Sequence, residues 1–180
     1  RSSTNHLPSI QATVSAFDLS TGSLLALFDG ELITDLKTSA LSQILTEHCA
    51  STDASNLAII GAGAQALQQF IAVTTCRDIK NVNIYSRNFK KTKIFRDHLE
   101  HLSKGKIAIH IKQSLDEAIK NVDIISTATT SNKPLSSFDN LKDTVHINCI
   151  GAHTNGNREL PKKILARNKL IVEDRRTAVN

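Results

Sequence analysis

The chain is 180 residues long, 40% apolar and 22% charged, with a formal net charge of +5, which supports one domain, or one domain and part of a second, around a sizeable core. No stretch approaches the roughly 18 consecutive apolar residues of a membrane span, and the opening Arg1-Ser2-Ser3-Thr4-Asn5-His6 has no apolar leader-like run, so no membrane association is expected and a cytoplasmic location is the default. The positive charge permits nucleic-acid binding, but one tyrosine, six phenylalanines and no RNA- or DNA-binding signature argue against it.

Along the chain, Ile10, Ala12, Val14 and Ala16 alternate with Gln11, Thr13 and Ser15, the period-2 pattern of a half-buried strand over 10–16. Asp18 to Gly22 reads as a turn and Leu24 to Phe28 as a second strand. Asp29-Gly30 reads as a tight hairpin turn and Glu31 to Thr34 as a third short strand, so the chain opens as an antiparallel meander. From Asp35 to about Cys49, Leu36, Ala40, Leu41, Ile44, Leu45 and Cys49 recur at helical spacing, with Thr34 or Asp35 as N-cap.

After the polar loop 51–55 the rhythm becomes strand and helix in alternation. Leu57 to Ile60 reads as a strand, Ala64 to about Thr75 as its crossover helix, Val82 to Tyr85 as a strand and Phe89 to Leu102 as a charged helix. Lys106 to Ile111 follows as a strand, then a short helix from Ser114 to Asn121 with Ser114 and Glu117 at capping-box spacing. Val122 to Thr127, Thr144 to Ile150 and Leu170 to Glu173 complete the strands, with a helix over Pro161 to Ala166. This order predicts an α/β fold, a doubly wound parallel sheet preceded by part of an antiparallel β unit. Cys49, Cys76 and Cys149 are odd in number and lack C-x-x-C spacing, which predicts reduced core or near-core thiols.

The most informative segment is Asn56 to Ala66, where an apolar run ends on Gly61-Ala62-Gly63-Ala64-Gln65-Ala66 and passes into a helix. A dinucleotide requires this arrangement. The first glycine allows the tight turn, the second lets the backbone approach a pyrophosphate, and a small third residue lets helix and sheet pack closely; the helix start offers unpaired N–H groups to phosphates. G-x-G-x-x-A alone is a weak signal, and its weight comes from this strand-to-helix context. In such a sheet the ligand crevice lies at the carboxyl ends of the strands, where the winding reverses, so the loops Gly61 to Gln65, Ser86 to Asn88 and Thr127 to Thr130 should converge there.

The second loop bears on which dinucleotide. An NAD site places an acid at the end of the second strand, about 20 residues beyond the glycines, to accept from the ribose hydroxyls. No acid occurs from Ile79 to Arg96, and the strand ends Tyr85-Ser86-Arg87-Asn88, followed by Lys90, Lys91, Lys93 and Arg96. Arg87 can stack on adenine and pair with a 2′-phosphate, so NADP(H) is favoured over NAD(H). Lys91 and Lys93 also read as a solvated helix face. At the third loop, Ser126-Thr127-Ala128-Thr129-Thr130 would let a nicotinamide half lie against backbone. His98 and His101 share a helix face, but with no third ligand placed no metal site is expected, and His146 is expected to pack or bond at the entry to its strand.

With these blocks in order, the chain resembles the ornithine cyclodeaminase and mu-crystallin family over essentially its whole length. The residues that carry the resemblance are Thr21 to Gly30, Leu32 to Ala40, Ile59 to Ala66, Asp123 to Thr129, His146 to His153 and Arg158-Glu159-Leu160. It implies a dimeric, two-domain NAD(P)-dependent protein acting on amino acids or cyclic imines. It further implies a longer N-terminal substrate and dimerisation region, of which residues 1–34 would be a remnant, a connecting helix over 35–53, and a Rossmann-type NAD(P)-binding domain over 54–180. By this resemblance Gly61, Ala62, Gly63, Ala64 and Gln65 seat phosphates, and Ser86, Arg87 and Asn88 hold the adenosine side. Thr127, Ala128, Thr129, Ile150 and Gly151 then border the nicotinamide ribose and ring.

Two positions depart from the family pattern. Where the family has an arginine that grips the substrate carboxylate in a fork, this chain has Lys37, which keeps the charge but loses the bidentate geometry. Where the cyclodeaminase and alanine dehydrogenase branches have an aspartate, it has His153, which can exchange protons near neutral pH but supplies no fixed carboxylate for an ammonium. His153 reads equally as a loop histidine bonded to nearby backbone. Hydride transfer between a nicotinamide and an amino acid or imine is the expected activity, with Lys37 and His153 as catalytic candidates. A non-enzymatic, crystallin-like NADP(H)-binding protein is the alternative.

Overall fold

The computed structural model describes residues 11–136, 138, 141–151 and 157–178. β1 (Thr13–Phe17) and β2 (Leu24–Asp29) form an antiparallel ribbon in which Val14 pairs with Phe28 and Ala16 with Ala26. Asp18 shapes the connection, its Oδ1 accepting from the N–H and hydroxyl groups of Ser20 and Thr21.

The hairpin turn at Asp29-Gly30 and the third strand over Glu31 to Thr34 do not form. A helix, α1 (Gly30–Cys49), begins there instead. Asp29 is its N-cap, in place of Thr34 or Asp35, and accepts from Glu31 N at 2.8 Å and Leu32 N at 3.1 Å. Aspartate before glycine suits a tight turn and a helix start equally, and Glu31 in the first turn complements the positive end of the helix. The regularly spaced apolar residues of α1 are largely outward, Leu36 and Ile44 being 55% and 52% exposed. Its buried residues are the small Gly30, Ser39, Ser42 and Thr46, and Ser42 Oγ accepts from Gln69 Nε2 at 2.8 Å in the next helix.

The remaining strands, β3 (Asn56–Ile60), β4 (Asn81–Tyr85), β5 (Ala108–Ile111), β6 (Ile124–Thr127) and β7 (His146–Cys149), form one parallel sheet in the order β5-β4-β3-β6-β7. Between them run α2 (Ala64–Cys76), α3 (Phe89–Ser103) and α4 (Leu115–Ile119), with α5 (Lys162–Arg167) and α6 (Arg175–Ala178) after β7. Both faces of β3 are covered, as its unbroken apolar run requires. Leu57 and Ile59 pack with Phe70, Val73, Phe95 and Leu99; Ala58 and Ile60 pack with Leu115, Ile119, Phe138 and Leu160.

The expected half-buried strand over 10–16 is instead β1 from Thr13, with Ile10 outside the described residues and Val14 41% exposed; the other boundaries move by a residue or two, as helix and strand ends do. The expected strand over Leu170 to Glu173 is absent: the segment pairs with no strand, and Leu170, Ile171 and Val172 are exposed. A short apolar run says nothing of the edge it would join. The cysteine expectation is also corrected. Cys49 and Cys149 are exposed and Cys76 is half-buried, because Cys49 ends a helix whose inner face is small and polar, and Cys149 ends β7 at the open rim of the sheet.

Two long-range ties set the frame. Asp123, just before β6, accepts from Ser55 N, Asn56 N and Asn56 Nδ2 and pairs with Lys142 Nζ at 2.6 Å. Burial alone would raise its carboxyl, but these partners outweigh that and hold it at about 2. Arg77 donates to the carbonyls of Thr46, Glu47, Ala50, Ser51 and Cys76 at 2.7–3.0 Å, fastening the C-terminal end of α1, where carbonyls lack intrahelical partners, to the end of α2.

Candidate functional site

The order β5-β4-β3-β6-β7 reverses its winding between β3 and β6, so the carboxyl ends of these two strands frame a crevice. β3 runs directly into Gly61, whose φ of +121° lies where L side chains rarely go. A Cβ there would collide with the Ala128 carbonyl, and Ala128 N donates to Ile60 O at 2.8 Å. The glycine turn is thereby clasped to the loop after β6. On its other side Gly61 N donates to Tyr85 O at 2.9 Å, which brings the end of β4 beside it.

Gly63 is the N-cap of α2. It offers no side-chain acceptor to the helix start, and the first turn contains no acid. Asp29, Asn88 and Ser114 do supply such acceptors to α1, α3 and α4. Among the described residues, apart from its neighbours along the chain, no heavy atom lies within 4 Å of the position a Cβ on Gly63 would take. Ala66 is completely buried, so the helix sits close on the sheet. Gln65 donates through Nε2 to Asp35 Oδ1 at 2.6 Å, while its Oε1 is buried with no partner among the described residues. An open glycine and uncapped N–H groups fit the phosphates of a dinucleotide; the Gln65 amide oxygen can only accept and so contributes nothing to a phosphate.

At the end of β4, Ser86 Oγ accepts from Asn88 N, and Asn88 Oδ1 caps α3 by accepting from Lys91 N at 3.0 Å. Asn88 is therefore engaged in helix capping. Arg87 between them is exposed. Lys91 and Lys93 lie on the solvated face of α3, Lys93 Nζ standing 4.9 Å from the Phe89 ring centroid.

The ends of β6 and β7 are joined by a residue whose role the sequence pattern did not reveal. Glu159 is 1% exposed. Its Oε1 accepts from Thr129 N at 2.8 Å and Thr129 Oγ1 at 2.6 Å; its Oε2 accepts from Thr127 Oγ1 at 2.8 Å, Gly151 N at 2.7 Å and Cys149 Sγ at 3.4 Å. Ile150 N donates to Thr127 O at 3.0 Å, continuing the pairing to the rim. A Cβ on Gly151 would strike both Thr129 O and the Glu159 carboxylate. Loss of water, first, and the neighbouring Glu159 carboxylate push the Cys149 thiol up to about 12, which removes it as a thiolate nucleophile. Although Cys149 is an exposed residue, its Sγ is turned toward that carboxylate.

Thr127, Ala128, Thr129, Ile150 and Gly151 thus lie together with the glycine turn around one crevice. Lys37 lies on α1, two residues after Asp35, which bonds Gln65; its ammonium pairs with Glu173 Oε1 at 2.5 Å, both side chains more than half exposed. His153 lies outside the described residues. His146 opens β7 half-buried and contacts Asn148 Oδ1 through Nε2 at 3.1 Å; burial lowers its pKa. Asn148 Nδ2 in turn donates to Thr46 Oγ1 at 2.9 Å, tying β7 to α1.

The whole chain, residues 1–180, matches the model of the ornithine cyclodeaminase/mu-crystallin family. It is 37% identical over 171 residues to a Delta(1)-pyrroline-2-carboxylate reductase of Bacillus cereus, covering 94% of this chain and 52% of that protein. It is 32% identical over 177 residues to the ketimine reductase mu-crystallin of Rattus norvegicus, covering 98% and 55%. The structure of a Thermococcus litoralis Delta(1)-pyrroline-2-carboxylate reductase, in complex with NADH and L-proline, superposes with a TM-score of 0.90 at 34% identity, covering 97% of this chain and 53% of that one. The chain spans about half the length of the curated relatives it matches.

Proposed function

Because this chain belongs to the ornithine cyclodeaminase/mu-crystallin family, we propose that the full-length protein is an NAD(P)H-dependent reductase of cyclic imines that carry a carboxylate. The observation that carries this reading is the convergence of the uncapped α2 start, the clasped glycine turn and the Glu159-bound ends of β6 and β7 on one crevice.

Gly61, Ala62, Gly63, Ala64 and Gln65 would receive the pyrophosphate. Thr127, Ala128, Thr129, Ile150 and Gly151 would border the nicotinamide ribose and ring. Bound reduced nicotinamide supplies the hydride. The residues of this chain fix the geometry, since transfer needs the donor carbon about 3–3.5 Å from the imine carbon. Lys37 would release Glu173 and attract the substrate carboxylate as a point charge. His153 is the residue we assign to deliver a proton to the imine nitrogen as that carbon accepts the hydride.

For the adenosine end we favour NADP(H). Arg87 is exposed beside Ser86 with no acid at the end of β4 to repel a 2′-phosphate. The Thermococcus relative was solved with NADH, so NADPH and NADH are to be compared directly. The crystallin-like alternative is less favoured because the matched mu-crystallin relatives are themselves named reductases. We also propose that β1 and β2 belong to a substrate and dimerisation region and that the full-length protein is a homodimer. Phe17, Leu24, Leu25, Leu27 and Phe28 are exposed on this ribbon, a patch of the kind that marks an interaction surface.

NADPH and NADH oxidation by the full-length protein with pyrroline-2-carboxylate and related cyclic imines tests the reading. Turnover supports it; tight cofactor binding without turnover on any of them counts against it.

A further inference from the structure

The crevice holds one charged group that the proposed reaction leaves unused. Glu159 is buried to 1% exposure, and among the described residues no ammonium or guanidinium pairs with it. Each of its oxygens accepts from a backbone N–H, Thr129 N on one and Gly151 N on the other. A backbone N–H can only donate, so the site is built for the carboxylate form. A buried charge without a counterion is costly unless something offsets it, and among the described residues neutral dipoles alone do so. All of those dipoles come from the rim of β6 and β7, where the nicotinamide ring is assigned.

Resting on that cofactor assignment, we propose that Glu159 is a positioning residue that also acts electrostatically, its charge favouring the oxidised, cationic nicotinamide ring over the neutral reduced ring. The two redox forms of the cofactor carry the same phosphates and differ at the ring by one positive charge. In a partly desolvated crevice an uncompensated carboxylate discriminates between them. Binding that prefers the product form makes the bound reduced cofactor a stronger hydride donor, which suits imine reduction. Hydrogen bonding to Thr127, Thr129 and Gly151 serves a second purpose, holding the rim rigid so that the charge stays in place.

The experiment is a calorimetric titration of the full-length protein with NADP+ and with NADPH, for the wild type, Glu159→Gln and Glu159→Asp. Glu159→Gln is expected to lower the affinity for NADP+ relative to NADPH on the order of tenfold. Glu159→Asp keeps the charge and is expected to keep the ratio, even where both affinities fall. Equal losses for the two forms in Glu159→Gln, or a ratio lost to the same extent in Glu159→Asp, would overturn the electrostatic role and leave a rim staple. Should Glu159→Gln fail to fold, the wild type decides: tighter NADP+ than NADPH supports the proposal, the reverse overturns it. Wild-type protein that binds neither form would sink the cofactor reading itself, an outcome distinct from an unchanged ratio.

Discussion

Gln65 donates to Asp35 Oδ1 at 2.6 Å, joining α1 to the first turn of α2 immediately after the glycine turn. The helix that carries Lys37 is therefore bonded to the residue that would face the phosphates. Asp35→Ala should lower dinucleotide affinity about three- to tenfold while costing roughly 1 kcal/mol of stability, the usual worth of one hydrogen bond. Cofactor titration beside urea denaturation separates the two effects; equal affinity in the variant would uncouple α1 from the crevice.

Gly61 and Gly63 should fail differently. Gly61→Ala must place a Cβ at φ +121° against the Ala128 carbonyl and is expected to destabilise the fold by about 3 kcal/mol. Gly63→Ala adds a methyl group in open space, so the melting temperature should hold while dinucleotide affinity drops about tenfold or more. Thermal melts of the two variants, with cofactor titrations, check the contrast. Similar melts for both would refute the packing of the turn against β6.

Arg87→Ala should weaken NADPH binding by about tenfold or more, the worth of a charge-assisted pair with the 2′-phosphate, and weaken NADH binding less, since NADH loses only the adenine stacking. A matched loss for the two cofactors would remove Arg87 from the 2′-phosphate.

Arg77→Ala strips a donor fork from five carbonyls, four at the end of α1 and just beyond it and one, that of Cys76, at the end of α2. A loss of about 2–4 kcal/mol in urea denaturation is expected, with Arg77→Lys recovering only part of it because one ammonium cannot span the fork.

Asp123 carries a pH signature. Its carboxyl is held at about 2 in the fold against 3.8 for a free side chain, so its contribution is present above about pH 4 and is lost as pH falls toward 2. Screening by solvent on this partly open pair reduces the contribution to roughly 1 kcal/mol. Asp123→Asn should thus be less stable than the wild type at pH 7, with the gap narrowing at pH 2.5. A gap that is independent of pH would show that packing, rather than charge, is what the substitution removes.

The parallel sheet was legible because its signals are local. Leu57 to Ile60 is apolar on both faces, Ser114 and Glu117 sit at capping distance, and Gly61 to Ala66 falls where a strand meets a helix. The expected opening meander fails at one dipeptide, since Asp29-Gly30 bends a hairpin and starts a helix with the same chemistry. That ambiguity hid a site residue. Once Asp29 caps α1, Asp35 is released from the capping role and reaches Gln65. Glu159 stood in the sequence as part of Arg158-Glu159-Leu160, but its partners lie up to 32 residues earlier, and no periodicity reports a contact between segments so separated. Arg77 was invisible for the same reason. Its five acceptors are backbone carbonyls, which leave no mark in side-chain pattern.

The reach of Glu159 also orders events during synthesis. β3, α2, β4 and α3 are sequence neighbours and can pair as they emerge, since short-range contacts lose little chain entropy on closing. The rim of β6 and β7 cannot be completed until residue 159 is made and swings back to Thr127 and Thr129. A nascent chain would hold the half of the crevice assigned to adenosine before the half assigned to nicotinamide, and could grip a dinucleotide by one end before the other end has a place to rest.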